Sequence, residues 1–246
     1  MAMCCQTKFD STSRNEELFQ QIFFASESSQ KWREYDFLSN LQLVTNESSN
    51  ERLRLFVAIP VPEPFRDAIA IAQRELQSLV PRHAIAWTRP EQFHLTLRFL
   101  GGIPAACLGD LKAAVGAVCA KSCALRLRMT GLSFFPNARS PRVIWTGIQD
   151  AEHRLIDFQR QIEAAVRPFT SERSVNDFAG HATLGRVRDL KQSDAGKLAA
   201  HAQTIGNRIL GEWTAREVEL VRSELFPDGA RHSPVAIFPF GASLET

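Results

Sequence analysis

Two short segments, "FHLTLRFLGG" (93–102) and "GHATLGRV" (180–187), each set a histidine two residues before a threonine: His94 with Thr96, and His181 with Thr183. In an extended strand, residues i and i+2 leave the same face about 6.6 Å apart, so each pair projects together while Phe93, Leu95 and Leu97 turn inward. Either motif alone is ordinarily a solvent-facing histidine beside a β-favouring threonine. Chance supplies about 0.3 His-x-Thr matches in a chain of this composition, so two matched copies, each followed by Leu, favour a site. Two imidazoles facing each other across a cleft divide labour: titrating near neutrality, one accepts a proton from water while the other, protonated, donates to a leaving oxygen. Threonine hydroxyls add neutral donors for phosphoryl oxygens and for the charge that develops in the transition state, with no metal required. Arg186 lies five residues after His181. Arg98 lies four after His94, on its face by strict alternation. Both carry the planar, bidentate group suited to phosphate.

The other candidates are weaker. Trp87, Phe134, Phe135 and Trp145 fall in strand patterns, where aromatic residues more often build core than stack on a base. Arg98, Phe99, Trp145 and His232 stand as candidate substrate contacts, His232 reaching a ligand from the loop "DGARHSPV". His153 and His201 sit in helical patterns without a ligand partner at i+4, and His83 follows a Pro-Arg turn, so all three read as surface. The chain has no H-E-x-x-H, G-x-S-x-G or G-x-x-x-x-G-K-[ST]. Its five cysteines include no C-x-x-C pair, and their odd number argues against a disulfide framework. A reducing cytoplasm fits that usage. No apolar run approaches the roughly 18 residues of a membrane span, and the first residues lack the apolar middle of a secretory signal. A cytoplasmic monomer away from membranes, needing no cofactor or metal, is the expectation.

The elements that must hold these residues begin at about residue 51. Residues 1–50 are rich in Ser, Asn, Gln and Glu, and offer one short helix over "NEELFQQIFF" (15–24). They are expected to form an extension, disordered or loosely docked. They carry four Lys and Arg against seven Asp and Glu, leaving 25 against 20 on residues 51–246. That mild surplus suits a local anionic ligand better than electrostatic capture of duplex nucleic acid. From 53 onward, strand and helix patterns mix: "LRLFVAIPV" and "AIAWT" as strands around a helix at 63–80, then the first His-x-Thr strand, a helix at 104–121, and strands "ALRLRMTGLSFF" and "RVIWTGI". A second half follows, with a helix at 151–167, the second His-x-Thr strand, a helix at 193–206, and strands at 214–225 and 234–240. A helix precedes a histidine strand in both halves, which suggests an internal duplication. Alternating rather than continuously apolar strands predict an α+β fold with two mainly antiparallel sheets and flanking helices.

In this order "RLFVAIP", "FHLTLRFLGGIP", "FPNARSPRVIWTGI" and "GHATLGRV" closely resemble the two-histidine phosphoesterase superfamily, and within it the bacterial RNA 2',3'-cyclic phosphodiesterases, also called 2'-5' RNA ligases. The resemblance covers about residues 52–240. It implies a bilobal fold in which each lobe lends one H-x-T-x strand to a central cleft. It also implies hydrolysis of RNA 2',3'-cyclic phosphate ends, tRNA fragments among them, to 2'-phosphomonoesters, with reversible 2'-5' ligation as a related activity. On this chain His94 would be the proton donor and His181 the proton acceptor, with Thr96, Thr183 and Arg186 binding phosphate. Two positions depart from the pattern: a proline common before the second histidine is Gly180, expected to loosen that strand's entry, and an aromatic near the end is His232. Alternatives are a relative acting on a small cyclic phosphate, such as ADP-ribose 1'',2''-cyclic phosphate or a cyclic nucleotide, and a non-catalytic module that binds RNA ends.

Overall fold

The computed structural model describes residues 51–173, 178–227 and 229–241; the amino-terminal segment and its helix over 15–24 lie outside the described residues. In chain order the elements are β1 (Arg52–Pro60), α1 (Glu63–Gln77), β2 (Ile85–Trp87), β3 (His94–Pro104), α2 (Leu108–Lys121), β4 (Leu125–Phe135), β5 (Val143–Asp150), α3 (Arg154–Val166), β6 (His181–Val187), α4 (Gln192–Ile205), β7 (Ile209–Ala215), β8 (Glu217–Phe226) and β9 (Gly229–Pro239). Helix α1 opens with Pro62 and Pro64, which lack an N–H in the first turn where donors have no helical partner, and it buries Ile69, Ala72, Gln73 and Leu76, one stripe at helical spacing. Helix α3 starts at Arg154, where the carboxylate of Asp150, at the end of β5, accepts from the backbone N–H of Arg154 at 2.7 Å and of Leu155 at 3.0 Å. Those are donors the first turn of a helix otherwise leaves unpaired.

Every strand pair is antiparallel, in the order β7-β4-β5-β6-β3-β1-β8-β9, with β2 added on β6. The α+β class and the antiparallel pairing follow the expectation, but the two sheets are one hydrogen-bonded order. Its halves meet through a single pair, Leu95 with Ala182. One residue, Arg216, links β7 at one end of the order to β8 near the other. In a flat sheet those strands would lie about 29 Å apart at roughly 4.8 Å per strand, so the sheet curls until its ends approach. The strand expected at 214–225 is therefore interrupted at Arg216, and β7 precedes it. Gly211 in β7 gives no β signal because its role is close approach: a Cβ there would come 2.7 Å from Phe65 Cδ1 of α1.

The main core lies between the sheet and the helices and includes Leu95, Leu97, Ala182 and Leu184, each at most 3% exposed. This burial turns the intervening His94, Thr96, His181 and Thr183 to the opposite face. A small second cluster, Phe56, Ala58 and Val221, packs on that face. Strand β1 is consequently buried on both sides from Leu55 to Ile59, which is why its sequence is apolar without alternation.

Candidate active site

The contact between Leu95 and Ala182 sets the geometry of the two motifs. Extending that antiparallel register by one residue each way puts His94 beside Thr183, and Thr96 beside His181. Each histidine thus neighbours the other motif's hydroxyl. Both strands then bulge at the same place. In β3, Ala58 pairs with Thr96 but Val57 with Arg98, so Leu97 is the extra residue; in β6, Trp145 pairs with Thr183 but Ile144 with Gly185, so Leu184 is extra. A bulge reverses the alternation beyond it. Arg186, at an odd offset from His181, is thereby returned to the His181 face. Arg98, at an even offset from His94, is turned off it, and Phe99 takes the corresponding place. Arg98 is 6% exposed, ion-paired to Glu163 of α3 at 2.6 Å, and donates to the carbonyls of Arg173 at 2.9 Å and Glu172 at 2.6 Å. It anchors the wall behind the motif, where strict alternation would have placed it beside Thr96.

The two imidazoles are held alike. His94 Nδ1 lies 2.6 Å from the carbonyl oxygen of Gln92, and His181 Nδ1 lies 2.8 Å from that of Ala179. A carbonyl only accepts, so Nδ1 carries the proton in each ring and Nε2 is left to exchange one with a ligand. Burial pulls the pKa of His94 down from 6.5 to about 4. The Gln92 carbonyl opposes this, and the positive charges of His232, His181 and Arg186 add to it. His181 is lowered by burial and by Arg186 against the Ala179 carbonyl, and His232 by burial and Arg186. Arg186 therefore acts on all three histidines, and an anion among them would be attracted by the arginine and would favour protonated imidazoles. The cleft they share has a volume of about 950 Å³, and seven arginines, Arg54, Arg89, Arg98, Arg173, Arg186, Arg188 and Arg231, line it against Glu163 and Glu172. That local surplus of five positive charges is larger than the whole chain's net charge of +2.

Residues 59–145 match the family described as LigT like Phosphoesterase. An RNA 2',3'-cyclic phosphodiesterase of Methanothermobacter thermautotrophicus is 30% identical over 189 residues, which span 76% of this chain and 98% of the relative. The chain belongs to the LigT-like phosphoesterases. Solved structures share the fold: a Thermus thermophilus protein superposes with a TM-score of 0.63 at 26% identity, covering 78% of this chain and all of the other. Escherichia coli LigT complexed with 3'-AMP gives a TM-score of 0.61 at 21% identity, with the same coverage of both chains.

Within this LigT-like cleft the remaining candidates separate. Phe99 is 46% exposed on the cleft wall, its ring 5.5 Å from that of Phe56. His232, on β9, meets His94 edge-on at 5.3 Å between ring centroids and Phe56 at 5.0 Å, and its buried Nδ1 has no hydrogen-bond partner among the described residues. Trp145 is not on the wall. Phe135 stacks over it at 4.7 Å and lines the cleft in its place, and both rings pack against His181. Gly180 does not slacken its strand: its carbonyl accepts from Ile148 N at 2.8 Å, and a Cβ would fall 2.4 Å from Ile148 O, so glycine permits a close approach. Phe56 and the flanking arginines had no sequence signal as site residues, because "LRLFVAIPV" reads as core and the arginines are scattered along the chain. Among the described residues, no helix is long and apolar enough to cross a membrane.

Proposed function

We propose that this LigT-like phosphoesterase hydrolyses RNA 2',3'-cyclic phosphodiester ends to 2'-phosphomonoesters by acid-base catalysis between His94 and His181. The observation that carries the reading is the matched presentation of two Nδ1-anchored imidazoles, each beside the other motif's threonine, in an arginine-lined cleft. His181 Nε2 takes a proton from water as its oxygen attacks phosphorus. The bond from phosphorus to the 3' oxygen breaks, and His94 Nε2–H gives its proton to that oxygen. Thr96 and Thr183 donate to the non-bridging oxygens, and Arg186 offsets the charge that accumulates there. A 5'-hydroxyl in place of water would give a 2'-5' linkage by the same proton movements, with His181 again the acceptor. That both curated relatives and this chain share the family supports an RNA end as substrate.

His94 must donate as the protonated imidazole, although burial by itself favours the neutral ring. The cyclic phosphate's negative charge opposes the repulsion from Arg186, His232 and His181, raising the pKa as substrate seats. The test is to incubate the protein with an RNA ending in a 2',3'-cyclic phosphate and identify the product isomer. A 2'-phosphate is expected, with turnover reduced roughly 10²- to 10⁴-fold in His94→Ala and in His181→Ala while the fold is retained. A 3'-phosphate product would reverse the leaving oxygen, and unchanged turnover in either variant would remove that histidine from the mechanism. Faster turnover of a cyclic mononucleotide than of a cyclic-ended oligonucleotide would shift the substrate class to small cyclic phosphates.

A further inference from the structure

The two bulges that aim the motifs are each gripped by a buried glutamine. Gln73 of α1 and Gln159 of α3 are 5% and 8% exposed. Gln73 Nε2 donates to the carbonyls of Leu184 and Thr88, both at 2.8 Å, and Gln159 Nε2 donates to the carbonyl of Leu97 at 3.3 Å. The leucines are the extra residues of the two bulges, where the ladder skips a place and a carbonyl needs another donor. The arrangement is crossed: α1 precedes β3 but holds β6, and α3 precedes β6 but holds β3. The spacing repeats too, with Gln73 standing 21 residues before His94 and Gln159 standing 22 before His181.

We propose that Gln73 and Gln159 are positioning residues, each fixing the bulge after one threonine and so the direction in which that motif's histidine and threonine face the phosphate. This rests on the cyclic phosphodiesterase reading. Strands β3 and β6 meet through one residue pair, so the ladder between them leaves the angle between the motifs weakly determined. Each amide instead ties a bulge to the helix packed on that strand's own side of the sheet, α1 beside β7 and α3 on β3, so the direction of each motif is set from behind rather than by the ladder between them. If a bulge relaxed, alternation beyond it would revert, and Arg186 or Phe99 would leave the cleft face. The two grips are unequal. The Leu184 carbonyl also accepts from Thr88 N at 2.8 Å, so losing Gln73 still leaves it paired.

The test uses Gln73→Met and Gln159→Met, which keep side-chain length and remove the donor, each alone and combined with Thr96→Ala or Thr183→Ala. Turnover of cyclic-ended RNA, thermal unfolding, and calorimetric binding of inorganic phosphate are measured on the full chain. Gln159→Met is expected to lower kcat about 10- to 100-fold with KM changed less than about 3-fold, since misplacing reacting groups by about 1 Å suffices for that loss. That penalty should shrink to under about 3-fold in the Thr96→Ala background and persist in Thr183→Ala, because coupling is confined to groups that act together. Gln73→Met should show the mirror pattern with a smaller penalty. Equal penalties in both threonine backgrounds, or losses that only track the unfolded fraction, would overturn the proposal. If the wild type binds phosphate without turning over the cyclic end, the cyclic phosphodiesterase reading fails, and the crossed pattern in phosphate affinity still decides this one. No phosphate binding by the wild type overturns both.

Discussion

Replacing His94 with asparagine tests whether this imidazole is held neutral by the fold. Asparagine keeps an N–H for the Gln92 carbonyl and carries no titrating proton. In the folded protein, burial lowers the pKa of His94 from 6.5 to about 4. Between those values the unfolded chain binds the proton and the folded chain does not, so stability falls as pH falls through this window. For one group with this shift, the loss from about pH 8 to about pH 4 is about 3 kcal/mol, roughly half the stability of a marginal domain. His181 and His232, also lowered, and Glu219, raised by burial, titrate in both proteins and cancel to first order in the comparison. Urea unfolding of wild type and His94→Asn at the two pH values gives the difference directly. The wild type is expected to lose about 3 kcal/mol more than the variant on acidification. A difference under about 1 kcal/mol would refute the claim that the cleft excludes the imidazolium.

Three further outcomes follow from the same structure. Arg186→Gln should raise KM for a cyclic phosphate by about 10-fold or more. Because Arg186 lowers the pKa of all three cleft histidines, the acid limb of kcat/KM should also move to higher pH; an unmoved limb in a pH-rate series would place the arginine away from them. Arg98→Met leaves Glu163 without its cation and should cost about 3–5 kcal/mol in denaturant unfolding, much of it recovered by adding Glu163→Leu; an additive double variant would contradict a coupled pair. Gly180→Ala drives a Cβ against Ile148 O and should destabilise by about 1–3 kcal/mol while lowering kcat through displacement of His181, so a variant matching wild type in melting temperature and turnover would show that the approach is not tight.

The common facing of each histidine and threonine was legible in the chain because it depends on local spacing. His94 with Thr96, and His181 with Thr183, share a face through the geometry of any strand, and burying Phe93, Leu95 and Leu97 at no more than 3% exposure fixes which face. The helices were legible for the same reason, since their apolar stripes repeat within a few residues. The strand at 214–225 was misread because its interruption at Arg216 reflects where the curled sheet passes from one half to the other, which no local pattern encodes.

What the sequence by itself determined is a duplicated pair of histidine and threonine on two amphipathic strands, together with a family resemblance that the comparisons bear out. What only the tertiary structure decided is how the pairs meet and which neighbours join them. A bulge is set by the register of the partner strand, and in both motifs one extra leucine brings Arg186 and Phe99 to the face of the histidines and turns Arg98 off it, onto Glu163 at the cleft's wall. Alternation counts residues along one chain, and the ladder that breaks the count is formed with residues elsewhere in the sequence.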